Sequence, residues 1–197
     1  MESAGASQAQ RPNWKRALPM LCLTQVLVLS LALIWNYCRE LRVIEQFCQP
    51  RGGYTALAAA ALAGVIISTL SNTYIDYRIK RHSASALWVR DELLGPIFSE
   101  MPFIWSSALS LLAAVCEEFM FRGVIASEWG LLVSGLLFGL MHGGHRHLRT
   151  YMIWAGMLGL LMGELTMWSH SLWPAIALHC ANNMTSCRYL RRVTKHK

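Results

Sequence analysis

Hydrophobic side chains fill this chain in long runs rather than at alternate positions. From Leu18 to Tyr37, and again from Gly52 to Ile75, no charged residue interrupts the sequence. At 1.5 Å per residue, each run reaches across a hydrocarbon layer of roughly 30 Å. Thr150–Ser169 is broken only by Glu164, and two shorter runs, Trp129–Gly144 and Ser171–Cys187, carry histidines. Met101–Glu128 starts uncharged and then turns abruptly polar as CEEFMFRG over residues 116–123. These runs predict about six transmembrane helices in an all-α, polytopic membrane protein. Leu18–Tyr37 is long and no small-x-small site follows it, so it reads as a retained helix rather than a cleaved signal.

Composition agrees. The 197 residues are 54% hydrophobic and 15% charged, against roughly 25% charge in a soluble domain. Six crossings put both termini on one side, together with fourteen of the eighteen Lys and Arg residues. The positive-inside bias makes that side the cytoplasm. Contact with anionic membrane lipid then accounts for the net charge of +7, and no nucleic-acid partner is needed. The six cysteines are scattered without a C-x-x-C pair and read as packing residues.

Four stretches follow. Residues 1–17 are small and polar and form a cytoplasmic tail. Residues 18–100 hold two plain hydrophobic helices, the second with the close-packing run ALAAAALAG (56–64), and a charged connector with an interfacial helix at Ala84–Leu94. Residues 101–190 carry an ionisable side chain on every helix, and the functional core is expected there. Residues 191–197 form a basic cytoplasmic tail.

Ionised groups within a bilayer cost about 2.5–3.5 kcal/mol each, so three in one helix need partners. Glu118 and Arg122 are i and i+4, one turn apart on one face. Glu117 lies about 100° round the helix and lacks an intrahelical cation. It is either a solvated helix-end residue or a general base. A turn near Glu128–Gly130 would fold the next helix back, bringing His142 to the depth of Glu117. Gly135 and Gly139 would form the seam between those two helices, with Phe138 one turn before His142. His179 and Asn183 are again i and i+4. A base, two imidazoles and an amide donor form a set suited to adding water to a carbonyl.

In order, E-E-x-x-x-R (Glu117, Glu118, Arg122), F-x-x-x-H (Phe138, His142) and H-x-x-x-N (His179, Asn183) resemble the motifs of the CPBP intramembrane proteases. These are relatives of the Rce1-type CAAX prenyl endopeptidases and of the bacterial Abi proteins. The resemblance covers roughly residues 100–190. It implies cleavage of a membrane-associated peptide or protein, with Glu117 activating water and His142 helping to hold it. It further implies that Asn183 and His179 stabilise the oxyanion, while Glu118 and Arg122 hold Glu117 in place. Glu117, His142 and His179 are also a set able to ligate Zn²⁺. The absence of H-E-x-x-H favours a metal-free reaction with no cofactor. The competing class is a non-enzymatic membrane protein, either a proton or ion pathway or a bacteriocin-immunity or interaction factor, since relays use the same residue types. His145, Arg146, His147 and Arg149 read as a cytoplasmic helix end. Glu164 has no assigned partner.

Overall fold

A computed structural model describes residues 13–48 and 53–195. Most of the expected N-terminal tail, and the last two residues of the basic one, lie outside the described residues. Those described form α-helices with short turns and no strand. Among the described residues, three helical stretches are long and apolar enough to cross a membrane: Trp14–Cys38, Gly53–Lys80 and the continuous run Phe103–Met141.

Helix α1 (Trp14–Cys38) starts four residues before the expected Leu18, because the Asn13 side chain caps it by accepting from the Lys15 N–H at 2.9 Å. Met20, Leu27, Leu31 and Ile34 face outward. The inward stripe is Leu21, Gln25, Ala32 and Asn36, at spacings of one or two turns. Short α2 (Val43–Cys48) follows, its first N–H donating to Asn36 Oδ1 at 3.3 Å. In α3 (Gly53–Lys80), Ala60, Gly64, Ser68 and Asn72 recur every fourth residue and are the buried positions. As the alanine-rich sequence predicts, this small-residue stripe packs closely, against α9 (Trp173–Lys195). A Cβ on Gly64 would stand 2.3 Å from the Leu178 carbonyl oxygen. Ser68 and Ser186 hydroxyls meet at 2.9 Å, and Tyr189 donates to Asp76.

The connector is helical, as expected: α4 (Ala84–Trp88), a π-helical stretch (Val89–Leu94) and α5 (Gly95–Phe98). Helix α6 (Phe103–Glu118) then continues through a second π-helical stretch, Phe119–Ile125, into α7 (Ala126–Met141). The chain reverses at Gly130, whose φ of 82° favours glycine. Ser134 Oγ consequently donates to the Phe121 carbonyl, thirteen residues back, at 2.7 Å. The run Phe103–Met141 is therefore a hairpin with its turn where the sequence placed it.

The glycine seam faces elsewhere than expected. A Cβ on Gly139 would lie 2.8 Å from the Met152 carbonyl and 3.0 Å from the Gly156 Cα, both on α8 (Arg149–Ser169). The reason is rotational: Ser134 and Phe138 turn toward α6 and its π-helical continuation, while Gly135 and Gly139, about 100° round, turn toward α8. Helix α9 runs to Lys195 and so includes Arg191 and Arg192.

Candidate active site

Two strata of polar groups, one buried and one partly exposed, stack between α1, α6, α7 and α9. The deeper one is fixed by charge. Glu118 is fully buried and Arg122 is 2% exposed, and Glu118 Oε1 accepts from Arg122 Nη1 at 3.0 Å. This is the predicted i,i+4 pair. The guanidinium also lies 4.2 Å from the Phe138 ring centroid, a cation–π contact. Helix α8 admits it through Gly159, where a Cβ would meet Arg122 Nη2 at 2.9 Å.

His179 joins the two strata. Its Nδ1 lies 2.7 Å from Glu118 Oε1, close enough for a charge-assisted bond in which Nδ1–H donates. That leaves Nε2 pointing at Glu117 Oε2, 3.9 Å away. His142 arrives from α7 in the same relation. Its Nδ1 donates to the Phe138 carbonyl at 2.7 Å, and its Nε2 stands 4.0 Å from Glu117 Oε2. A carbonyl can only accept, so this bond fixes the His142 tautomer and leaves Nε2 facing the carboxylate. Phe138 packs against both imidazoles, with centroids at 4.5 Å from His142 and 5.9 Å from His179.

Glu117 has a partner that the sequence did not disclose. Gln25 of α1 donates from Nε2 to Glu117 Oε1 at 2.9 Å. Gln25, His142, His179 and Asn183 line one cavity of ≈ 370 Å³, together with Tyr151 of α8 and Asn72 of α3. This lies near the lower end of the ~300–1,000 Å³ typical of ligand pockets. Asn183 Oδ1 is engaged by Asn182 Nδ2 at 3.4 Å, which leaves the Asn183 amide hydrogens for another acceptor. Six of the seven predicted residues thus cluster, with Glu117 standing 3.9 and 4.0 Å from the two imidazoles, and Asn183 shares the cavity wall. Glu164 is exposed on α8. His145 and His147 stack on Trp88, with centroids at 4.4 and 5.6 Å. One signal in the sequence could have found Gln25, since it and Thr24 are adjacent polar interruptions deep in the first apolar run.

The carboxylate and two imidazoles are the right donor types for zinc. Tetrahedral zinc with bonds of about 2.0–2.2 Å sets neighbouring ligand atoms roughly 3.4 Å apart. The separations of 3.9 and 4.0 Å are wider, and no group of three or more His, Cys, Asp or Glu among the described residues is placed to hold a metal.

Residues 99–185 match the family described as Type II CAAX prenyl endopeptidase Rce1-like. The chain is also similar to the uncharacterized protein YyaK of Bacillus subtilis (strain 168), 28% identical over 110 residues. That alignment covers 47% of this chain and 37% of the relative's length. No solved structure matches the chain.

Proposed function

Residues 99–185 belong to the Rce1-like endopeptidase family, and from that premise we propose that the chain hydrolyses a peptide bond of a membrane-associated peptide or protein. The observation that carries this reading is the convergence of His142 Nε2 and His179 Nε2 on Glu117 Oε2, at 4.0 and 3.9 Å. Two polar atoms that share one water, each about 2.8 Å from it, sit roughly 4 Å apart. Glu117 Oε2 is thus spaced to share a water with either imidazole.

In the reaction, Glu117 Oε2 takes a proton from that water as its oxygen attacks the scissile carbonyl carbon. His142 steadies the water. The carbonyl π electrons move to oxygen, and the Asn183 amide donates to the resulting oxyanion, joined by His179 when its Nε2 carries a hydrogen. Collapse of the intermediate breaks the C–N bond, and the proton held by Glu117 passes to the leaving amine. Glu118 and Arg122 take no proton; they anchor His179 from behind. In this reading no step runs through a metal, and chelator-insensitive turnover is its corollary.

The same reading takes α1, α3, α6, α7, α8 and α9 as six crossings with both termini in the cytoplasm. The reversal at Gly130 supports it by splitting the run Phe103–Met141 into two antiparallel helices.

Glu117→Gln is the direct test. It keeps the Gln25 contact available but removes the base. Comparative peptidomics of cells carrying wild type or Glu117→Gln should reveal peptides released only by the former. A quenched-fluorescence peptide built on the mapped site should then lose essentially all turnover with the variant, whose membrane insertion is unchanged. Undiminished cleavage by Glu117→Gln would remove Glu117 from the role of base.

A further inference from the structure

Helix α1 lies outside the matched residues 99–185, yet it reaches the centre of the site. Gln25 Nε2 donates to Glu117 Oε1 at 2.9 Å, and Gln25 stands in the cavity wall beside His142 and His179. We propose that Gln25 is a positioning residue for this hydrolysis, holding the Glu117 carboxylate in the rotation that presents Oε2 to the two imidazoles. The inference rests on the function proposed above.

Three observations converge on it. First, a carboxylate has two oxygens, and here they are divided: Oε1 meets the amide of α1, while Oε2 alone faces His142 and His179. Without the amide, nothing else described bonds Oε1 and the carboxylate is free to turn about its terminal torsion, which is soft for glutamate. Second, the amide orientation is dictated by chemistry. Presenting Gln25 Oε1 instead would set two acceptors against each other, so Nε2 must face the glutamate. Third, among the described residues no protein group hydrogen-bonds Gln25 Oε1, so the contact the amide makes within the protein is the one from Nε2 to Glu117.

The alternative is a purely structural cross-link between α1 and α6. The two roles separate in the kinetics. Gln25→Met keeps the length of the side chain and removes the donor. A slackened base should lower kcat by ~10–100-fold while KM stays within about twofold. Gln25→Glu is the more discriminating variant and covers the case in which Gln25→Met fails to insert. Its new carboxyl donates to Glu117 only while protonated and repels it once ionised. Turnover of this variant should therefore fall as pH rises through the titration of the new group, over a range where the wild-type profile does not fall. The assay is the same quenched-fluorescence peptide, with full-length chain in liposomes. Wild-type kcat in Gln25→Met, a change confined to KM, or a wild-type pH profile in Gln25→Glu would each overturn the proposal. Inactivity of Glu117→Gln alongside such a result would leave the proposed function standing and remove only Gln25. Activity of Glu117→Gln would remove the base itself.

Discussion

The two halves of the chain solve the same membrane problem with opposite interiors. In α1 and α3 the outward faces are apolar, with Leu27, Ile34, Leu62 and Leu70 more than half exposed, and the inward stripes are small or neutral. In α6 through α9 the interior holds Glu118, Arg122 and His179, each less than 5% exposed. Lipid selects the outside of both halves, so only the inside distinguishes scaffold from chemistry. Small inward residues let helices touch, whereas charged ones are tolerated only when they neutralise each other. Apart from Gln25, which reaches the site from α1, the rear half is accordingly where a substitution can separate activity from folding.

The largest expected effect breaks that neutralisation. Arg122→Met leaves Glu118 buried with only His179 as a partner, and losing one member of a buried pair costs about 3–5 kcal/mol. Glu117→Gln, whose carboxylate is partly exposed, should by contrast keep nearly wild-type stability while losing activity. Thermal unfolding of both variants in the same detergent measures the difference. Equal stability of the two would erase the distinction between a structural and a reacting glutamate.

A smaller effect is expected from the front half. Gly64→Val places a side chain where the Leu178 carbonyl stands 2.3 Å from the new Cβ, with the Ala181 Cβ at 3.1 Å. The backbone oxygen cannot move aside, so α3 and α9 must separate, at roughly 1–3 kcal/mol. Because α9 carries His179 and Asn183, turnover and thermal stability should fall together in this variant. Leu62→Val, on the exposed face of the same helix, is the control and should change neither.

Much of the rear half could be read from spacing alone. The Glu118–Arg122 pair follows from one helical turn, and counting from Glu117 and His142 to a turn at Gly130 anticipates their meeting, observed at 4.0 Å. Rotation about helix axes was harder to read. Gly135 and Gly139 suit close approach to any neighbour, and only three-dimensional packing directs them to α8 rather than α6. The bond from His179 to Glu118 belongs to the same class, since the sequence gives the face of α9 but not which glutamate it meets. Gln25 was hidden for a related reason. Helix α1 is apolar nearly all round, so no amphipathic pattern marks its inward face, and a single neutral amide does not stand out as a charge would.

The smallest prediction concerns the seam where the front-half connector meets the rear-half loop. Trp88 of α4 stacks on His145 and His147, and the latter two lie 5.1 Å apart. His147 sits below the usual imidazole value because partial desolvation disfavours its charged form, with Arg146 and His145 adding like-charge repulsion. The folded value is thus depressed relative to the unfolded one near 6.5. The neutral stack contributes fully above that pH and loses its contribution as pH falls toward the lower folded value. Protection from hydrogen exchange across residues 143–148, taken relative to the intrinsic rate at each pH, should therefore fall as pH drops below about 6.5, while that at the α3–α9 contact around Gly64 does not change. His147→Phe keeps an aromatic face without a titrating group and should flatten much of the response. A response of unchanged size in that variant would assign the effect to His145 or another group and detach His147 from the seam.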